Sequence, residues 1–373
     1  MNSLRSYFRS AIMLFAAAFA LAACDVHEIP EPEKLRNLTI DLDFNTELPL
    51  YQVLEHQATR AEQAENYDIR YVVNIYNGLF YNASTERQIL RQIVRTQDDI
   101  DELDYSFEID NLPYGYYTIM VWADYVDAGS DDDKFYNTAD FAAIKLHQEH
   151  VGNNDYRDAF VGRTSIRVSY ATSRIPIHMK RPLAKYNFIT TDLNKFVERI
   201  IEMRAEAEAK DKEANNKDKD GSNSDKEAKA PIVLGKNQVL GTTKSGETRV
   251  VDLNDFNIVF TYHGNMADEY EMFLDNPIEA RATTFSSTLT KISDTEAELG
   301  FDYVFVNGDA SAVNVSVDIY DKDGTLLSTT DAFKVPISRS KLTTVRSKFL
   351  TSEASGGVGI NPGFEDDEYI YEP

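Results

Sequence analysis

Residues 103–125, LDYSFEIDNLPYGYYTIMVWADY, decide the fold class. Tyr105, Phe107 and Ile109 alternate with Ser106 and Glu108, a period of two that turns one face of an extended chain inward and the other toward water. Pro113-Tyr114-Gly115 interrupts the run with turn chemistry: proline fixes φ and glycine tolerates backbone shapes that other residues resist. Tyr117, Ile119, Val121, Ala123 and Tyr125 then resume the alternation, which predicts a hairpin between two neighbouring strands.

The same period extends in both directions. Upstream, Ile40, Leu42 and Phe44 alternate with Thr39, Asp41 and Asp43, and Ile69, Tyr71, Val73 and Ile75 repeat the pattern. Residues 141–146 and 165–170 carry shorter versions. Arg181-Pro182 discourages strand pairing, and alternation restarts at Tyr186, Phe188 and Thr190, which puts a boundary near Pro182. Leu299, Phe301, Tyr303 and Phe305 follow, then an Asn307-Gly308 turn. Val313, Val315, Val317 and Ile319 alternate before Asp323-Gly324, a hairpin signal. Many short strands with turn signals and little helix predict an all-β chain of antiparallel sandwiches rather than a parallel α/β sheet.

With 373 residues, 21 Tyr and 20 Phe, the chain has material for two cores. We expect β-sandwiches over 37–182 and 183–373. One amphipathic helix interrupts the second. Leu193, Phe196, Val197, Ile200 and Ile201 share one helical face behind a Thr191 or Asp192 cap. Beyond it, residues 204–230 are nearly all Ala, Lys, Glu, Asp and Asn, which predicts a frayed helix end and a charged, disordered insert.

The first 24 residues set the location. Arg5 and Arg9 precede an apolar run over residues 11–20, and Leu21-Ala22-Ala23-Cys24 closes it with small residues before a cysteine. This reads as a bacterial lipoprotein signal peptide over 1–23 with lipidation of Cys24, followed by a Pro- and acid-rich tether over 24–36. Cys24 is the only cysteine, so intrachain disulfides, thiolate zinc sites and a cysteine nucleophile are excluded. A net charge of −24 repels nucleic acid and anionic surfaces, so membrane attachment would rest on the acyl chains.

The segments 103–125, 181–193 (RPLAKYNFITTDL), 299–306 (LGFDYVFV) and 335–362 (VPISRSKLTTVRSKFLTSEASGGVGINP) resemble fimbrillin-like lipoproteins, the pilin and accessory subunits of type V pili. Met120-Val121-Trp122-Ala123-Asp124-Tyr125 is similar to an uncharacterised fimbrillin-related domain. The resemblance implies two tandem Greek-key, transthyretin-like β-sandwiches and a cell-surface lipoprotein of the outer membrane. Polymerising members lose their first strand to an arginine-specific protease and accept a replacement from a neighbour, a form of β-augmentation. Here the resemblance implies cleavage between Arg60 and Ala61, residues 38–44 as the displaceable strand, and residues 367–371 as a donor or receiver edge. Asp25, Glu28, Glu31 and Glu33 are compatible with export to the outer face.

Chemistry-bearing motifs are sparse. Asn216, Asp218, Asp220, Gly221 and Glu227 fit the spacing of a calcium loop, but Asn223 stands where an apolar residue would pack and Pro231 blocks a following helix, which favours a solvated charge run. Asp127, Asp131, Asp132 and Asp133 form one acidic loop and residues 365–368 another. His147 and His150 could share a metal on a helical turn, yet lack a further ligand in sequence and read as a polar loop. No GxSxG, HExxH, GxxxxGK[ST] or strand-borne GxGxxG motif occurs. The expectation is a non-enzymatic structural or adhesive surface subunit or pilus accessory component, with no cofactor. Its partners would be the outer membrane and other fimbrial subunits or host glycans. The alternative is a glycan-binding surface lipoprotein, which would need exposed aromatics, whereas Trp122 with Tyr117, Val121 and Tyr125 reads as strand core.

Overall fold

The computed structural model describes residues 34–45, 50–53, 67–79, 88–97, 105–147, 150–215 and 233–351. In chain order the first half contains β1 Leu35–Phe44, β2 Leu50–Val53, β3 Tyr67–Asn77, β4 Ile89–Gln97, β5 Tyr105–Pro113, β6 Gly115–Asp127, β7 Tyr136–Asn137, β8 Ile144–Leu146, β9 Ala159–Val168 and β10 Arg174–Met179. The second half contains β11 Leu183–Thr190, α1 Leu193–Asn215, β12 Gln238–Thr242, β13 Thr248–Asp252, β14 Phe256–Glu271, β15 Asn276–Thr288 and β16 Thr290–Lys291. It continues with β17 Ala297–Phe305, β18 Ala310–Asp321, β19 Leu326–Thr329, β20 Phe333–Ser338 and β21 Leu342–Ser347.

Four larger sheets make two sandwiches, as the alternation predicts. In the first, a three-stranded sheet ordered β10-β1-β5 faces a four-stranded sheet ordered β4-β3-β6-β9. Phe44 of β1 meets Tyr71 of β3 and Phe160 of β9 edge to face, with centroids 5.8 and 5.2 Å apart. In the second, β17-β11-β21 faces β15-β14-β18-β20, and Phe188 of β11 packs on Phe260 of β14 and Phe333 of β20. Strand order is the same in both. Each sandwich places its first strand at the centre of its smaller sheet, parallel to its last strand (β10 or β21) and antiparallel to β5 or β17. This is the Greek-key arrangement that the resemblance implies. The sheets are otherwise antiparallel apart from β2, which runs parallel to β21.

Segments cross between the halves. β2 joins the edge of the β21 sheet, and β7 and β8 extend the β14 sheet. Trp122 of β6 touches Tyr136, Tyr270 and Phe305, so a single apolar core runs through both sandwiches.

Two expectations need correcting here. β5 and β6 do not pair with each other: at Pro113-Tyr114-Gly115 the chain leaves the three-stranded sheet and enters the opposite one, so turn chemistry marks a crossing rather than a hairpin. Asn307-Gly308 makes the equivalent crossing from β17 to β18, whereas Asp323-Gly324 does close a hairpin, with Asp318 opposite Thr329 and Gly324 at φ +81°. The second correction concerns the charged run, of which residues 204–215 continue α1 without a break. Ala, Glu and Lys are strong helix formers, and Arg249 of β13 grips Glu208 with two bonds of 2.9 and 3.0 Å. The apolar stripe of α1 is buried as expected, with Gly241 of β12 close against Val197 and Ile201. Asp192 precedes the helix but does not cap it with its side chain, since its carboxylate accepts from Thr190 and from Thr351, the latter at 2.9 Å (amide) and 2.6 Å (hydroxyl).

Candidate functional site

β1 is the strand on which the resemblance puts function, and its two faces are held differently. Leu38, Ile40 and Leu42 point inward and are buried. Such side chains stabilise the fold by about 1.5–3 kcal/mol each on burial. Backbone bonds flank the strand on both sides: Thr39 to Phe44 align with Arg174 to Met179, and Leu35 to Leu42 with Pro113 to Tyr105. The outward face carries carboxylates tied to both neighbours. Asp41 accepts from Arg174 of β10 (2.8 Å to Nη2) and from Ser106 of β5 (2.9 Å), while His178 Nδ1 lies 2.9 Å from Asp43. The Arg174 guanidinium and the Ser106 hydroxyl hold the Asp41 carboxyl below its usual range despite some desolvation.

At the far end of β1, Arg181 reaches back to the Asn45 carbonyl (3.3 Å). Its Nε also donates to both oxygens of Asp158 at 2.8 Å, and its plane lies over Phe160. Burial raises the Asp158 carboxyl, opposed by Arg181. This pair stands at the junction just before Pro182, so the end of β1 and the joint between the sandwiches are built from the same residues.

Beside that pair lies a second buried network. Asp302 of β17 accepts from Arg157, from Tyr262, from His150 Nε2 (2.7 Å) and from the Tyr303 amide (2.8 Å). Tyr262 also bonds Tyr186 at 2.5 Å, and Tyr136 donates to the Arg157 carbonyl at 2.5 Å. Burial alone would raise the Asp302 carboxyl, but Arg157 and His150 hold it below the usual range. Burial lowers the His150 pKa, and the neutral ring donates from Nε2 and leaves Nδ1 without a partner. The His150 side chain is therefore enclosed, whereas His147, just past the end of β8, is exposed.

Two carboxylates of the acidic loop after β6, Asp127 and Asp133, are paired with cations. Arg70 bonds Asp124 (2.8 Å), Asp133 (2.8 Å) and the Asp131 carbonyl (2.9 Å), and Lys134 pairs with Asp127 (2.9 Å). Among the described residues no group of three or more acidic or histidine side chains is arranged to hold a metal. Trp122, Tyr117, Val121 and Tyr125 are core, as read from sequence. Cys24, Arg60, Ala61, Asn216, Asp218, Asp220, Glu227 and residues 365–371 lie outside the described residues. The residues that sequence reasoning missed are Asp158, Arg181, Arg157, Tyr262 and Asp302. Tyr262 had a readable signal in the alternation of Phe256, Ile258, Phe260 and Tyr262; the others pair across long sequence separations and had none.

A family model described as a family of unknown function, DUF6562, matches residues 33–372. The chain belongs to the DUF6562 family. No curated protein matches it. Among solved structures, this DUF6562 chain is similar to a Bacteroides thetaiotaomicron protein of the DUF1812 family (11% identity, 79% of each chain covered, TM-score 0.40). It is also similar to the fimbrial anchor protein Mfa2 from Porphyromonas gingivalis (11% identity, 79% of this chain and 82% of that one, TM-score 0.35). A third is a fimbrial assembly protein from Parabacteroides distasonis (10% identity, 84% of this chain and 92% of that one, TM-score 0.35).

Proposed function

We propose that this chain is a fimbrillin-like surface lipoprotein, a structural or adhesive subunit or pilus accessory component that works by strand pairing and tethering rather than by catalysis. The observation that carries the reading is the place of β1, central in its sheet, paired with β10 over Thr39–Phe44 and with β5 on the other side through a bulge between Arg36 and Leu38, with an apolar face filling the core. Taking such a strand away would leave a groove lined by the backbones of β10 and β5, which an extended segment with alternating apolar residues could fill. Arg60 and Ala61 fall in sequence between the end of β2 and the start of β3, so a cut there would leave β1 and β2 attached by non-covalent contacts alone. Cys24 would carry the acyl chains that attach the protein to the outer membrane, with the acidic residues after it favouring the outer face.

The test is the intact mass and gel mobility of the protein from outer membranes, with and without an arginine-specific protease. A lipidated N-terminus at Cys24 that survives the protease supports an anchor or stand-alone subunit and rules out strand release at Arg60. A new N-terminus at Ala61 with denaturation-resistant ladders supports a polymerising subunit. A chain that is neither lipidated nor surface-associated overturns the proposal.

A further inference from the structure

One end of the first sandwich differs from the rest of its surface. β1 begins there with Leu35 opposite Pro113, and the Tyr114 amide donates to the Lys34 carbonyl at 2.9 Å. Tyr116 opens β6 opposite Arg167, whose guanidinium lies 5.6 Å from its ring centroid. Tyr170 sits in the turn from β9 to β10, where the Thr172 carbonyl receives Arg36 Nε at 2.8 Å. β4 starts at the same end, because Ile89 aligns with Tyr76 near the end of β3, and this brings Leu90 alongside. The three exposed tyrosines among the described residues, Tyr170 (79%), Tyr116 (50%) and Tyr114 (38%), thus converge here with exposed Leu35 and Leu90.

The chain arrives at this end. Lys34 lies ten positions after Cys24, and ten residues at about 3.3–3.6 Å each span at most about 36 Å when fully extended. Wherever the acyl chains of Cys24 insert, this end is held within about 36 Å of them. Among the described residues Lys34, Arg36 and Arg167 gather here with Asp110, a local excess of positive charge beyond the acidic tether that suits anionic headgroups. Tyrosine and leucine together match the bilayer interface, where the ring enters the headgroup layer and the hydroxyl stays hydrated.

We infer that this end rests on the membrane, with the headgroup layer of an anionic lipid bilayer as its partner. Seated there, the two sandwiches stand on the surface in one orientation instead of swinging on the tether. The leucines favour lipid over sugar, since a glycan platform pairs aromatic faces with hydrogen-bonding side chains. The inference rests on Cys24 as the lipid-bearing residue, and the experiment separates the two. Because Cys24 is the only cysteine, a chain starting there can be coupled through its thiol to a maleimide phospholipid in phosphatidylethanolamine–phosphatidylglycerol vesicles, whatever the cell does.

Tyr170→Trp adds a second tryptophan, and buried Trp122 serves as the internal reference for folding. With brominated phospholipid in the vesicles, the emission added at position 170 should fall at least about twofold. Emission added by Leu326→Trp, on exposed Leu326 in the β18–β19 hairpin beside α1, should stay unchanged. Adding Tyr114→Ser and Tyr116→Ser to the Tyr170→Trp chain should reduce the quenching. Equal quenching at 170 and 326 overturns the inference, as does a tryptophan at 170 that ignores bromolipid but responds to soluble polysaccharide. If the cellular protein proves unlipidated by mass, the anchoring proposal fails while the vesicle result still decides this one.

Discussion

His150 shows how a single side chain can couple the stability of this protein to pH. It is enclosed by Asp302, Arg157 and Tyr262, with Arg281 adding a like charge, and burial lowers its pKa below the ordinary 6.5. The folded chain therefore excludes a proton that the unfolded chain accepts. This contribution is fully present above about 6.5 and is lost as pH falls toward the folded value. We expect a lower urea midpoint at about pH 5 than at about pH 7, and a smaller difference in His150→Gln. An unchanged wild-type midpoint would refute this. Asp41 acts in a separate, more acidic window, since its lowered carboxyl contributes above its ordinary 3.8 and loses that as pH falls further. The core role of Trp122 was legible because alternation is a local signal. The role of His150 was not, because Asp302 lies 152 residues away and no local period encodes that pairing.

For elements, burial decides what holds β1. Its exposed carboxylate clamps are screened by water, with the Arg174 side chain 68% exposed, whereas Ile40 lies wholly inside. Ile40→Ala should cost about 2–5 kcal/mol in urea denaturation. Asp41→Asn should cost much less, and a larger loss from Asp41→Asn would reverse the assignment. The existence of β1, β3, β5, β6, β11, β17 and β18 was readable, because each alternates apolar residues along the chain, although β3, β6, β11 and β17 turn out to be buried on both faces. Which strand pairs with which was not. Pro113-Tyr114-Gly115 and Asp323-Gly324 have the same turn chemistry, yet one crosses between sheets and the other closes a hairpin, since a turn sets where the chain bends but not which sheet receives the next strand. β15 escaped notice for a different reason: its inward face carries Arg281, Thr283 and Ser287 beside Phe285, so it has little apolar period.

Across the whole molecule, the repeated strand order makes two sandwiches while shared packing makes one core. Trp122 stands where they meet, against Tyr136, Tyr270 and Phe305, and the Asp302 network joins the segment before β9 to β11, β14 and β17. The two halves should therefore unfold together. Trp122 fluorescence and far-ultraviolet circular dichroism are expected to give the same urea midpoint, and a resolved second transition would show that the joint is weaker than its packing implies. Two sandwiches were legible from length and from the repeated alternation; of the strands that cross between them, β8 falls within the 141–146 run, whereas β2 and β7 are too short to carry a period. The parallel pairing of β1 with β10 and its antiparallel pairing with β5 also gives the groove a sense of direction. A strand from another copy could satisfy both edges only by running one way, so copies joined through it would all point alike, and the chain they form would have a growing end and a fixed end chemically distinct from each other.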